Sequence, residues 1–252
     1  MKKFSLTFLI MGLLLTFGTS LVIAGGGIVA RWALDEGTGK TAKDVSGNGH
    51  DGDLVGDAKW VDGNFDKALE FNGVDNEFVV PDADDLDGMS EMTIAAWSNP
   101  FDKGDSVYPR ILSKGHEHSW TFLIDVNAGN KLRFIVSFDG GGKIDVTDPA
   151  DLTSLFNQYH HYAAVWDGKE VVFYIDGKES HRAAAEGGPG INTDEPVRIG
   201  NSPSGRHFRG VIDDVWLFNK ALNADDINHI MTGNYVAVEP AGKLAATWGA
   251  LK

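Results

Sequence analysis

Between positions 28 and 218 short apolar runs alternate with Gly, Asn and Asp. Along residues 131–138 the alternation is strict. Leu132, Phe134, Val136 and Phe138 fall on one side, with Arg133, Ile135 and Ser137 on the other, as in a strand with one face in a core. Residues 119–126 repeat the pattern through Trp120, Phe122, Ile124 and Val126. Strands are predicted over 28–34, 68–71, 78–81, 92–97, 110–114, 119–126, 131–138, 159–166, 171–176, 197–200 and 210–218. Asp139-Gly140 and Asp176-Gly177-Lys178 read as hairpin turns, where Gly supplies a positive φ. Only residues 223–231 read as a helix. Asn223 can cap it, Asp225 and Asp226 suit its positive end, and Ile227, Ile230 and Met231 form an apolar stripe. The pattern predicts an all-β chain, a two-sheet antiparallel sandwich with one short C-terminal helix.

The N-terminus departs from this pattern. Lys2 and Lys3 precede an apolar run, and Val22-Ile23-Ala24 places small residues where a processing enzyme cuts. Residues 1–24 therefore read as an export signal, with Gly12, Thr16, Gly18, Thr19 and Ser20 arguing against a retained anchor. Cleavage takes the formal charge from −14 to −16 and leaves 228 residues, enough for one sandwich domain over 25–235 and a tail over 236–252. The tail is rich in Ala and Gly and carries a lone Trp248. So acidic a chain repels phosphate backbones, which argues against nucleic acid. No later run is apolar enough to span a bilayer, so no membrane contact is expected after cleavage. The chain has no Cys, so an exported protein must rely on its core, or on a metal clip. A secreted, cell-surface or periplasmic location follows.

Several segments then occur in a telling order. They are Trp32-Ala33-Leu34-Asp35-Glu36-Gly37-Thr38-Gly39, Asp44-Val45-Ser46-Gly47-Asn48-Gly49, Phe71-Asn72-Gly73-Val74-Asp75, Met92-Thr93-Ile94-Ala95-Ala96-Trp97 and Phe173-Tyr174-Ile175-Asp176-Gly177-Lys178. Arg198-Ile199-Gly200-Asn201 and Gly210-Val211-Ile212-Asp213-Asp214-Val215-Trp216 close the series. Together they resemble the LamG-like jelly-roll family of laminin G, pentraxin and concanavalin A-like sandwiches; Tyr159 stands where relatives usually carry Trp. The resemblance implies a jelly roll that usually binds rather than catalyses. It also implies a structural Ca²⁺ between the Asp44–Asn48 loop and the last long strand, so Asp44, Asn48, Asp213 and Asp214 are the candidate ligands. Strand alternation lets at most one of Asp213 and Asp214 face such a site. The competing reading is that Asp44 and Asn48 only fold back on their own backbone.

Other constellations are weaker. Asp82, Asp84, Asp85 and Asp87 miss the EF-hand spacing and read as a solvated turn. Of His160 and His161, one is expected to point inward with a partner. No Gly-x-Ser-x-Gly elbow and no Glu-x-Asp-x-x-Glu strand occurs. Trp32, Trp97, Trp120, Trp166 and Trp216 read as core, leaving Tyr108, Arg110, His118, Arg206 and His207 as loop residues able to line a ligand rim. The expected function is an exported, non-catalytic module binding a glycan or an extracellular protein. A glycan-cleaving enzyme and a purely structural surface or matrix module are the alternatives.

Overall fold

The computed structural model describes residues 22–23, 27–102, 108–116, 119–126, 129–233 and 236–237. Two antiparallel sheets of eight strands each face each other. In the first the order is β12 (Gly142–Thr147), β11 (Leu132–Phe138), β10 (Ser119–Val126), β9 (Arg110–His116), β16 (Val197–Ile199), β7 (Glu77–Val80), β4 (Gly52–Val55) and β3 (Thr41–Ala42). In the second it is β15 (Lys178–Ala184), β14 (Glu170–Ile175), β13 (His160–Trp166), β8 (Met92–Pro100), β17 (Arg209–Phe218), β6 (Lys67–Asn72) and β5 (Lys59–Asp62). Strand β2 (Ile28–Trp32) also pairs with β17, and β1 (Val22–Ile23) pairs in parallel with β18 (Val236–Ala237). The predicted sandwich is the observed one.

Alternation fixes what each face does. On β13, Tyr162, Ala164 and Trp166 enter the core between the sheets. Ala163 and Val165 point outward, into a second apolar layer under α1 (Ala224–Met231). That helix starts on Asn223 through a reciprocal capping box with Asp226 and buries Ile227 and Ile230. Trp32 and Trp166 fill the inter-sheet core, and their indole N–H groups donate to His50 O (2.7 Å) and Ala185 O (3.0 Å). Trp216 is buried too, but in the outer layer, stacked on Phe218.

Within the two large sheets five strands escape the sequence pattern: β3, β4, β5, β12 and β15. Four of them, β3, β5, β12 and β15, close the sheet edges. Edge strands carry charges and glycines that discourage pairing with other chains, which erases the apolar run; Lys178, Glu179, His181 and Arg182 on β15 are the plainest case. A second difference lies at Asp213 and Asp214. Both are buried, because the ladder between β17 and β8 breaks between Asp213 and Trp216 and Asp214 adopts φ 46°. The bulge suspends the alternation that would have turned one of them outward.

Candidate functional site

The outer face of the first sheet gathers unusual chemistry where β9, β10 and β11 run side by side. Asp125 on β10 lies opposite Arg110 on β9 and Arg133 on β11. Its carboxylate is fully buried and accepts from Arg133 Nε (3.1 Å) and Nη2 (2.7 Å), while Arg110 forms an ion pair with it. The guanidiniums also meet an aromatic ring: Tyr108, just before β9, has the Arg133 guanidinium 4.3 Å from its centroid, Arg206 at 5.3 Å and Arg110 at 6.0 Å. Burial lowers the Arg133 pKa, against the pull of Asp145.

The loop that delivers Arg206 is fastened to the same face. Arg110 N donates to Arg206 O (3.1 Å), and Ser113 Oγ donates to Asn201 O (3.0 Å). Asn201 Nδ2 donates to Glu77 (3.1 Å), which also faces Arg198 (3.3 Å). Gly200 makes the entry possible: its φ is 82°, and a Cβ there would stand 2.3 Å from the Phe71 ring. Within the loop Gly205 N donates to Ser202 O (2.9 Å). Four side-chain atoms are buried here without a partner, namely Asn201 Oδ1, Ser202 Oγ, Ser204 Oγ and His207 Nδ1. Burial lowers the His207 pKa, although Glu77 and Asp75 oppose it.

Of the five rim residues predicted, Tyr108, Arg110 and Arg206 therefore come together. His207 lies one residue beyond Arg206 on the same loop, and His118 lies outside the described residues. Arg133 and Asp125 fall outside that prediction, in strands whose apolar alternation dominates the pattern; an Arg and an Asp at strand-interior positions are the available signal.

The predicted calcium ligands are placed differently. Asp44 Oδ1 accepts from Arg31 N (3.0 Å) and Ser46 N (2.9 Å), and Oδ2 from Gly49 N (3.0 Å) and His50 N (3.1 Å). Burial alone would raise its pKa, yet these hydrogen bonds hold it below the ordinary value. Asn48 Nδ2 donates to the carbonyls of Ile28 (3.0 Å) and Val29 (2.9 Å). Asp214 is taken by Arg31 Nε (2.8 Å) and Trp216 Nε1 (3.0 Å). Asp44 is thus a backbone clamp with no lone pair to spare. Asp44→Ala is expected to cost about 3 kcal/mol, since four N–H groups lose a charged acceptor, and urea unfolding with and without Ca²⁺ should give the same loss.

Asp213 keeps one oxygen unused. Its Oδ2 accepts from Phe65 N (3.0 Å) and Oδ1 is buried with no partner. Gly63 allows the approach, because a Cβ there would lie 2.6 Å from Asp213 Oδ2. Burial, helped by Asp214, pushes the Asp213 pKa up to about 7 against the Phe65 N–H. No cluster of three or more His, Asp or Glu able to hold a metal occurs among the described residues.

Two further readings change. The acidic turn after β7 is not simply solvated: Lys114, wholly buried on β9, sends its ammonium to Asp82 (2.6 Å), Asp87 (2.9 Å) and Thr193 O (2.8 Å), and Asp85 meets His50 (3.1 Å). Of the paired histidines, His160 Nδ1 meets Asp176 (2.7 Å), whereas His161, nearly inaccessible, has neither ring nitrogen bonded.

Solved structures share this fold at low sequence identity. The binding domain of Paraclostridial Mosquitocidal Protein 1 superposes with a TM-score of 0.64 at 17% identity, over 82% of this chain and 52% of that one. Domain 4 of AbnA, a GH43 extracellular arabinanase from Geobacillus stearothermophilus, solved with arabinotriose, gives 0.58 at 18% identity, over 81% and 98%. The binding domain of Botulinum neurotoxin DC, in complex with rat synaptotagmin II, gives 0.62 at 15%, over 82% and 52%. The chain spans about half the length of the toxin domains it matches. No curated protein sequence matches. The family model described as the concanavalin A-like lectin/glucanases superfamily matches residues 72–228, well over half of the 252 residues, and the chain belongs to that family.

Proposed function

We propose that this protein is an exported, non-catalytic binding module, and that it meets a glycan or an extracellular protein with the Tyr108 face. One observation carries the reading: three guanidiniums converge on a single tyrosine ring beside a loop whose buried polar atoms lack partners. Such a ring backed by fixed polar groups suits a ligand that offers both an apolar face and hydrogen-bonding groups. The two acids at the ends of β14 are both engaged, Glu170 by Arg182 and Asp176 by His160, which supports a non-catalytic role for that strand. The AbnA domain with arabinotriose and the neurotoxin domain with synaptotagmin II support both ligand classes in this fold. Of the two, the glycan is favoured, because hydroxyl and amide groups outnumber exposed apolar ones in the 201–207 loop. A structural Ca²⁺ belongs, on this reading, at Asp213 rather than Asp44.

A glycan array on the mature chain tests it. Tyr108→Ala should weaken the best ligand about tenfold or more, as loss of an aromatic anchor does, with unchanged circular dichroism. Release of reducing ends from any glycan, or an affinity indifferent to Tyr108, would refute the assignment.

A further inference from the structure

We propose a second binding site, on the outer face of the second sheet, that takes a lysine side chain of a protein partner. It is independent of the Tyr108 face, which lies on the other sheet. A cavity of about 370 Å³ opens between β13, β14, β15 and the start of α1. Its floor is Val165, Val172, Tyr174 and Leu222, each no more than 5% exposed. Its rim is exposed at Asp167, Glu179, Arg182, Asn223 and Ala224, so the cavity is open to solvent. Strand register builds it. Val165, Val172 and Arg182 lie abreast on β13, β14 and β15, and Tyr174 lies beside Glu179. The ladder slips between Phe173 and Tyr174, and that bulge brings Glu179 and Arg182 to one face.

The lining carries three carboxylates, Asp167, Glu170 and Glu179, against one guanidinium, and so a formal charge of −2. Arg182 turns its fork on Glu179, Nε to Oε1 (3.0 Å) and Nη2 to Oε2 (2.8 Å), and its third nitrogen on Glu170 Oε1. Asp167 Oδ1 accepts from Lys169 N (2.9 Å) and Glu170 N (2.8 Å). One oxygen each of Glu170 and Asp167 is left over. Neither keeps both oxygens for a second guanidinium, whereas single oxygens suit an ammonium, a compact charge with three donors. The phenol of Tyr174 feels the same excess: burial raises its pKa, and Glu179 and Glu170 push it further up against Arg182. Lysine carries its ammonium on an aliphatic stem, which Val165, Val172 and Leu222 can cover while Tyr174 offers a ring to the cation. An amino sugar would bring hydroxyls to a floor with few groups to meet them, since Asn223 Oδ1 is engaged by the N–H groups of Asp225 and Asp226.

The test is a titration of the ¹⁵N-labelled mature chain, followed by proton–nitrogen correlation spectra, with Nα-acetyl-lysine methylamide. The norleucine analogue, which lacks the ammonium, and methyl glucosaminide are the comparisons. Saturable shifts at Val165, Val172, Tyr174 and Leu222 are expected, with an affinity of about millimolar for so small a probe. Norleucine should bind at least about tenfold more weakly, the size of one charge-assisted hydrogen bond. Glu170→Gln/Glu179→Gln should weaken the lysine probe about tenfold while leaving the melting temperature nearly unchanged, because exposed ion pairs contribute little to stability. Tyr174→Phe should keep the binding and Tyr174→Leu should lose it. Equal affinity for lysine and norleucine, tighter binding of the amino sugar, or no saturable shift at these residues would overturn the assignment.

Discussion

Lys114→Met is expected to destabilise the protein by about 3–5 kcal/mol, the usual cost of stranding buried carboxylates by removing their cation. For a domain of this size that lowers the melting temperature by roughly 10 °C. The side chain is wholly buried, and it fastens the loop after β7 and the segment around Thr193 to the middle of the first sheet. Asp87 is the partner that suffers most, since it is also nearly inaccessible. Burial already raises its pKa despite the lysine. The deficit should therefore shrink at pH 4, where Asp87 can take a proton, and Lys114→Met/Asp87→Leu should recover most of the loss at pH 7. Thermal melts of the two variants at both pH values check this, and a single-variant loss below 1 kcal/mol would show the lysine to be incidental.

The second large effect is a pH dependence that two groups hide from each other. Folded Asp213 titrates at about 7, against roughly 3.9 for a free aspartate. Between those values the folded state keeps a proton that the unfolded state releases, so stability falls as pH rises. Burial lowers the His161 pKa to about 4 against the attraction of Asp176. Below about 6.5 the unfolded chain takes up a proton that the folded one refuses, so stability falls as pH falls. From pH 4 to 6.5 the two slopes oppose one another. The wild type should be nearly flat there in EDTA, whereas Asp213→Asn should gain about 2–3 kcal/mol on going from pH 4.5 to 6.5. At pH 8 the same variant should be about 2–4 kcal/mol more stable than the wild type, having lost an unpaired buried charge. If Ca²⁺ sits at Asp213, it should close that gap by stabilising only the wild type. Urea titrations across the range measure all three quantities, and parallel slopes for the two proteins would refute the pairing.

What the sequence displayed depended on whether packing or neighbours set the residue. Strands such as residues 131–138 announced themselves because one face is in the core, and the helix did so through the cap at Asn223. The edges did not, since β15 is selected for charge rather than burial. At the site, Tyr108, Arg110 and Arg206 could be nominated as loop residues, but their meeting depends on β9 lying beside β10 and on a loop 90 residues away folding back. Asp125 and Arg133 looked like ordinary polar members of alternating strands. Asp44 shows the opposite limit: an oxygen-rich, glycine-punctuated loop reads both as an ion site and as a turn, and the four N–H groups converging on its carboxylate appear only in three dimensions.

Strand β17 sits between β8 and β6 and also carries β2, so the last long strand in sequence is a central one in space. During synthesis neither β6 nor β8 can complete its pairing until residues 209–218 have emerged, and β2 waits behind almost the whole domain. A growing chain thus carries open sheet edges for most of its length, the condition under which strands recruit the wrong partners. Folding here is a closing act performed once, late, by a single segment. Any shortened product that stops before Arg209 keeps the apolar faces and lacks the strand that joins them.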